Sequence, residues 1–464
     1  METSGEDTRY RSLSLWHDSW DGPYRTHPRL DGDLDVDVAI VGAGFTGLWT
    51  AYYLSQADPS LRIALLEREV VGFGASGRNG GWASAIFPAS LDKVAAHSSP
   101  DAAVRLQHAM NDTVDEVIRV AGAEGIDADI AKGGFVGLAR NHAQLARAEA
   151  EVQHWMSYGF GPEQIQLLTA DDARTRVRAT SVLGGTFTPH CAAIHPYRLV
   201  RGLAEAVAAR GVRIHERTPA MRLGVRRVET PFGRVRADVV VRATEGYTPD
   251  LPGFRRDVVP MYSLMVATEP LPDDVWEDIG LRDRATFSDE RHLRIYGQRT
   301  ADGRIAFGGR GAPYHFASAV RPEFDRNARV HAMLPQILRD LFPALREVEF
   351  THSWGGALGI PRDWYPSVGY NPATGFAFAG GYVGDGVTTT NLAGRTLRDL
   401  ILGERSELLE LPWLHRRSPK WEPEPLRWLG VNAATALFAG ADRMEAATGK
   451  PSKVAAAFWK ALGH

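Results

Sequence analysis

Residues 37–67 contain Asp37-Val38-Ala39-Ile40-Val41, then Gly42-Ala43-Gly44-Phe45-Thr46-Gly47, a run from Leu48 to Gln56, and Leu61-Arg62-Ile63-Ala64-Leu65-Leu66-Glu67. The first run is apolar and β-branched, as in a buried strand, and the run from Leu48 suits a helix. The glycines between them permit a tight turn, close backbone approach to a pyrophosphate and close packing of helix on strand, while the helix N-terminus offers free N–H groups to phosphates. Leu61–Leu66 supplies a second buried strand, and it ends in Glu67, an acid placed roughly 20 residues after the glycines, where a ribose is bound. A glycine-rich surface turn has no reason to be followed by helix, strand and terminal acid in that order. The stretch therefore predicts a dinucleotide site.

The rest of the chain bounds what surrounds that unit. Its 464 residues exceed one ordinary core and suggest two or three domains. Hydrophobic content of 44% and charged content of 23% are those of a soluble globular protein. A net charge of -3 gives no electrostatic footprint for nucleic acid, so that partner class is set aside. Cys191 is the single cysteine, which excludes an intrachain disulfide and a Cys-based zinc site; no metal is expected. The acidic opening Met1-Glu2-Thr3-Ser4-Gly5-Glu6-Asp7 is unlike a signal peptide, and no run approaches 18 apolar residues, so a cytoplasmic protein without a transmembrane helix is expected.

Residues up to Leu34, rich in Trp, Pro, Gly and Asp, suggest an irregular arm laid over the body. Gly72-Phe73-Gly74-Ala75-Ser76-Gly77-Arg78-Asn79-Gly80-Gly81-Trp82 lets backbone pass close to a flat or charged ligand. Helical spacing marks 102–123 and 141–156, and Pro196 opens a helix that Gly211 closes. Short strands are expected at 130–139, 186–194, 212–214, 221–228 and 235–237, with a buried strand from Val239 into the turn Ala243-Thr244-Glu245-Gly246. Between Val258 and Leu345 the pattern changes to β segments at 261–266, 293–296 and 305–308 and a helix over 322–341, an antiparallel sheet inserted between halves of the nucleotide domain. Phe376–Ala379 then forms a strand, followed by a second glycine-rich turn, Gly380-Gly381-Tyr382-Val383-Gly384-Asp385-Gly386, and a helix from Val387 to Leu402.

Taken together these segments resemble the D-amino-acid-oxidase-like superfamily of FAD-dependent oxidoreductases, in particular its gamma-glutamylputrescine-oxidase and glycine/sarcosine-oxidase-like branch. The resemblance runs from Leu15 to Gly403 and rests on the 38–67 unit, the Gly74–Gly81 run, Ile194-His195-Pro196, the turn after Val241, Trp354-Gly355-Gly356, and Gly381–Val387. It implies an α/β (α+β overall) fold with a doubly wound, Rossmann-like FAD-binding domain (35–100, 190–257 and 350–403). An interleaved antiparallel-sheet substrate domain (101–189 and 258–349), an N-terminal arm (1–34) and a C-terminal tail with amphipathic helices (404–464) complete it.

Carried onto this chain, the resemblance implies that the turn Gly42, Ala43, Gly44, Phe45, Thr46 and Gly47 holds the pyrophosphate, and that Glu67, with Arg68 beside it, binds the adenosine ribose. Ala75, Ser76, Arg78, Asn79, Gly80 and Gly81 match the loop beneath the phosphates and beside the isoalloxazine. Ala220 matches an adenine contact, and Ala243 and Thr244 the adenosine side. Gly384, Asp385, Gly386 and Val387 match the turn facing the flavin C2 carbonyl, where a helix N-terminus would stabilise an anionic reduced flavin. Two departures stand out. Where many relatives have alanine, threonine and glycine this chain has Ala243-Thr244-Glu245-Gly246, so Glu245 is an insertion-like difference near the adenosine side. Asp385 stands where a histidine is common; it would oppose that anion if it faced inward, and is expected to point outward. Cys191 does not match the covalent attachment segment of some relatives, so FAD is expected to be non-covalent.

The implied chemistry is hydride transfer from the C–H next to the nitrogen of an amine or amino acid to flavin N5, giving an imine, with reoxidation by oxygen or another acceptor. A water-poor pocket keeps the amine neutral, so no dedicated base is assigned. Substrate-pocket candidates are Tyr262, His292, Tyr296, Arg310 and Trp354, and Arg310 suits a bidentate carboxylate contact. The alternatives are a same-fold dehydrogenase that feeds a quinone or carrier, and a non-catalytic flavin-binding redox or assembly protein. In the tail, Leu426, Leu429, Ala433, Leu437, Ala441 and Met444 recur at helical spacing, as do Val454, Phe458 and Leu462. The tail is read as docking on the protein's own surface, with a partner subunit or a membrane surface as alternatives.

Overall fold

Leu34–Val41 lies at the centre of a sheet whose middle strands are parallel, and its residues from Val38 onward are buried on both faces. The computed structural model describes residues 5–461. Among them, one eight-stranded sheet runs in the order Ser367–Asn371, Phe376–Gly380, Gly233–Arg242, Leu34–Val41, Ile63–Leu66 and Arg213–His215, with the hairpin Arg222–Gly224/Arg227–Thr230 attached to Gly233–Arg242. Leu34–Val41 pairs in parallel with Ile63–Leu66 on one side and Gly233–Arg242 on the other. Helices Phe45–Ala57 and Gly386–Leu402 pack on each other, with Gly394 letting the second approach the backbone at Trp49. Both connections to the cleft described below therefore start at the carboxyl ends of central strands, where open α/β sheets bind ligands.

The second eight-stranded sheet has the order Phe350–Pro361, Val258–Thr268, Ile305–Gly309, Ile295–Arg299, Thr286–Asp289, Phe135–Ala139, Gly184–Thr188 and Gln166–Thr169. It is antiparallel except where Thr286–Asp289 meets Phe135–Ala139. One face carries Tyr262, Leu264, Val266, Phe287, Ile295 and Phe307 into a core closed by Val330, Leu334 and Leu338 of the helix Ala328–Leu341. Strand alternation sends Ser263, Arg294, Tyr296 and Gln298 to the opposite face, toward the nucleotide domain.

Several sequence expectations shift. The arm is partly helical, at Gly5–Arg11 and Leu15–Asp18, and Trp16 is buried with its indole N–H on Asn79 O (2.8 Å). The separate strands at 235–237 and 239 onward are one strand, Gly233–Arg242, whose burial changes from alternating to continuous at Val239. The helix expected over 322–341 is a 3-10 turn at Pro322–Asp325 followed by Ala328–Leu341, and the strand Thr286–Asp289 carried no clear sequence signal. In the tail helix Leu426–Thr448 the face toward the body is Arg427, Val431, Phe438, Ala441 and Glu445, while Leu426, Leu429 and Met444 are exposed. Polar contacts, not the apolar stripe, set its rotation. Lys453–Ala461 forms the second tail helix, and Leu462 lies outside the described residues. Among the described residues no helix is long and apolar enough to cross a membrane.

Candidate active site

The two glycine-rich turns face each other across one cleft of about 1160 Å³, solvent-open mouth included. Gly42 (φ 108°) sits so close to the neighbouring strand end that a Cβ would stand 2.4 Å from Ala243 O, and a Cβ on Gly47 would stand 2.0 Å from Gly42 O. Only glycine permits this turn. The helix Phe45–Ala57 begins behind Gly44, its first N–H donating to Ser76 Oγ (2.9 Å), and the helix Gly386–Leu402 begins behind Asp385 with no side-chain cap. Their remaining first-turn N–H groups and positive dipole ends are left at the cleft for an anionic ligand.

Of the residues expected at a cofactor, Gly42, Gly44, Phe45, Thr46, Glu67, Arg68, Ala75, Ser76, Asn79, Ala220, Ala243, Thr244, Gly384, Gly386 and Val387 line this cleft. Ala43 and Gly47 are buried and do not line it, Gly47 packing beneath Gly42. Ala43 N–H donates to Glu67 Oε2 (2.9 Å) and Glu69 N–H to Glu67 Oε1 (2.9 Å), so the glycine turn itself orients the acid. Burial raises the Glu67 pKa, with these two donors opposing the rise.

Arg78 does not line the cleft. Its buried guanidinium donates to Asp325 Oδ2 (2.7 Å), Gly355 O (3.0 Å) and Tyr247 OH (2.8 Å), fastening the glycine loop to the second sheet. Gly80 and Gly81 lie beneath Tyr296 and Gln298: a Cβ on Gly80 would stand 2.8 Å from the Tyr296 ring, and Gln298 Nε2 donates to both glycine carbonyls. Gln298 and the cleft-lining Phe73, Tyr247 and Tyr382 were not singled out from sequence. Phe73 and Tyr382, each inside a glycine-rich turn, carried a signal that could have found them.

Glu245 and Asp385 correct the sequence reading most. Glu245 (φ 38°) lines the cleft, and its carboxylate accepts from Gly381 N–H (2.9 Å), Gly359 N–H (3.2 Å) and Tyr382 N–H (3.3 Å). Burial pushes it up to about 7 against those donors. Asp385 does not point outward: it is half-buried, pushed up to about 6 by burial, with Arg310 and Arg294 pulling it back. Between them Val383 adopts φ 59°, an unfavourable conformation for a β-branched residue, and Arg310 Nη2 grips its carbonyl (2.8 Å). The second glycine turn is therefore a strained segment clamped from both sides by charged groups.

The substrate-pocket candidates separate. Tyr296 lies on the face of the second sheet toward the glycine loop, with its hydroxyl 2.7 Å from Ser263 Oγ, and Arg310 adjoins the Val383–Asp385 turn. Tyr262 turns to the other face, against His315 and Phe324, because its strand places odd and even residues on opposite sides. Trp354 is a core residue whose indole N–H holds Arg78 O (2.9 Å). His292 is taken up by the tail: its Nε2 meets Glu445 Oε1 (3.0 Å) and its Nδ1 accepts from Trp459 Nε1 (3.2 Å). Cys191 is buried, 3.2 Å from Thr286 Oγ1, its thiol pushed up to about 12 by burial.

A cleft between two helix N-termini, with apolar walls at Phe73, Leu358 and Val387, fits a long dinucleotide with phosphates at its middle and a flat ring at one end. Comparison with known proteins agrees. The chain is 30% identical to a probable oxidoreductase, OrdL, of Haemophilus influenzae, over 80% of this chain and 84% of that one. It is 29% identical to the gamma-glutamylputrescine oxidoreductase of Escherichia coli, over 82% and 87%. The fold matches the crystal structure of glycine oxidase from Geobacillus kaustophilus with a TM-score of 0.69 at 22% identity, over 82% of this chain and 99% of that one. The sequence model of the DAO family, described as FAD dependent oxidoreductase, matches residues 37–400, and the chain belongs to that family.

Proposed function

We propose that the protein oxidises a primary or secondary amine, most simply an amino acid, at the C–H next to nitrogen. The substrate loses a hydride and a proton to become an imine, which water hydrolyses to a carbonyl compound and an amine. The electron pair leaves to oxygen, forming hydrogen peroxide. Bound FAD supplies the two-electron acceptor. The observation that carries this reading is the pair of glycine turns opening onto one cleft, because a nicotinamide enzyme has no use for the second.

In this reading Gly42, Gly44 and the Phe45–Ala57 N-terminus hold the pyrophosphate, Glu67 the ribose and Ala220 the adenine. The N-terminus of Gly386–Leu402 presents N–H groups where negative charge accumulates on reduction, which lowers the cost of that charge. Tyr296, packed on Gly80, and Arg310, at the Val383 carbonyl, are in this reading the groups that orient the substrate. The side chains around them restrict water, and this favours the neutral, reactive amine. Cys191 does not line the cleft, which supports non-covalent FAD.

The test is an anaerobic absorbance spectrum of the purified protein before and after adding glycine, sarcosine, D- and L-amino acids, polyamines and acylated polyamines. The expected outcome is bleaching of an oxidised flavin band by one class, release of free FAD on acid denaturation, and peroxide in proportion to substrate once oxygen is admitted. Bleaching without peroxide assigns electron transfer to another acceptor. A flavin that no amine bleaches overturns the proposal.

A further inference from the structure

The tail helix Leu426–Thr448 docks on the body by one face and leaves the opposite face bare. Arg427, Val431, Phe438, Ala441 and Glu445 are buried. At about 100° per residue, Leu426, Leu429, Ala433, Ala436, Met444 and Ala447 fall in one stripe on the far side, and all six are exposed. Five of the eleven exposed large apolar side chains among the described residues lie in this tail: Leu426, Trp428, Leu429, Met444 and Val454. Leu426 is 62% exposed, Leu429 53% and Val454 63%. The outer face of a surface helix is ordinarily polar or charged. This helix carries four charged side chains, and three are taken up elsewhere. Arg427 pairs with Glu424 (2.9 Å), Asp442 accepts from His292 N–H (2.7 Å) and Leu293 N–H (2.9 Å), and Glu445 holds Arg147 (2.7 Å). Arg443 alone is exposed. An apolar face of this length, set in water, marks a surface that another body covers.

The charges of the tail that reach solvent have one sign. Arg443 stands at the edge of the stripe, Lys450 just past the helix end at Gly449, and Lys453 at the start of Lys453–Ala461, and all three are exposed. The two acids of residues 426–461, Asp442 and Glu445, are held by the body. The whole chain has a net charge of -3, so this is a local excess of positive charge.

These features decide what covers the stripe. A second copy seated face to face presents the same residues and therefore no acid to the three cations. The stripe is also too small for it: 23 residues at about 1.5 Å each and about 10 Å of width give about 340 Å², against about 800 Å² per partner in a stable interface. Among the described residues no helix is long and apolar enough to cross a bilayer, so the fitting arrangement is a helix lying along a bilayer surface. We propose that the outer face of Leu426–Thr448, with Val454, docks on an anionic lipid bilayer. Leu426, Leu429 and Met444 enter the boundary between headgroups and acyl chains, Trp428 sits at headgroup level, and Arg443, Lys450 and Lys453 meet the lipid phosphates.

Full-length holoprotein is sedimented with sucrose-loaded vesicles. Binding to vesicles of equal parts phosphatidylcholine and phosphatidylglycerol is expected to be at least about tenfold tighter than to phosphatidylcholine alone, and to weaken as salt is added. The triple variant Leu426→Ser/Leu429→Ser/Met444→Ser is expected to bind anionic vesicles at least about tenfold more weakly. Arg443→Gln/Lys450→Gln/Lys453→Gln is expected to lose on the order of 100-fold on anionic vesicles and nothing on neutral ones. All six positions are exposed, so flavin absorbance and thermal melts are expected to match the native protein; should the apolar variant aggregate, the cation variant decides. Equal sedimentation with neutral and anionic vesicles, sedimentation with neither, or folded variants that bind as the native protein does overturns the proposal. A stable dimer in analytical ultracentrifugation that the apolar variant dissolves also overturns it, and gives the face to a second copy.

Discussion

Glu245 shows how a single residue can tie the cleft together. Three backbone N–H groups from two separate segments converge on its carboxylate, and burial opposes the charge that those donors favour. An acid whose folded pKa is raised from 4.5 to about 7 binds its proton more tightly when folded. Its contribution to stability is therefore full below pH 4.5 and is lost as pH rises to about 7, a change on the order of 3 kcal/mol. Glu245→Ala is expected to leave the N–H groups without an acceptor and to cost about 2 kcal/mol at pH 5. The gap to the native protein should narrow toward pH 8. Thermal melts of the FAD-free protein between pH 5 and 8 check this; a constant gap would assign the carboxylate an ordinary pKa. The residue was legible as an insertion-like difference in its turn, but its partners were not, because they come from positions more than a hundred residues away.

Among the elements, the short helical turn Ala75–Arg78 does more than its length suggests. Arg78 reaches three acceptors in three directions, a geometry that a guanidinium satisfies and an ammonium does not. Arg78→Met is expected to cost roughly 3–5 kcal/mol by stranding Asp325, and Arg78→Lys to recover only part of it. Urea unfolding gives the energies, and the flavin content of the purified variants shows whether the loop still forms the cleft. Full recovery by lysine would reduce the contact to simple charge pairing. Periodicity found most elements in this part of the chain, and it failed where burial changed along an element. Gly233–Arg242 reads as two strands because its outer half has one wet face and its inner half has none.

For the whole molecule, the tail is the longer of the two parts that the family match does not reach, since the match spans residues 37–400. Its helix Leu426–Thr448 docks by Asp442 and Glu445, which hold His292, Leu293 and Arg147, and Trp459 packs edge-on to Trp364 at 6.0 Å. The FAD cleft draws its lining only from residues 41–390. The double variant Asp442→Ala/Glu445→Ala is thus expected to keep its flavin content while losing about 2–4 kcal/mol of stability, because the His292–Leu293 segment and Arg147 lose their partners. Flavin absorbance and urea unfolding check the two halves; loss of flavin with unchanged stability would place the tail's role in the nucleotide domain.

The sequence by itself determined the nucleotide unit, the second glycine turn and hence the cofactor class. Those features are local: glycine spacing, strand burial and a terminal acid are written within about thirty residues and need no distant partner. Tertiary structure alone decided which face of the second sheet each candidate occupies. It turned Tyr262 away, buried Trp354 under Arg78, gave His292 to the tail and brought Asp385 inward beside Arg310. Side-chain direction on a strand follows from register, and register is set by pairing with strands far off in the chain.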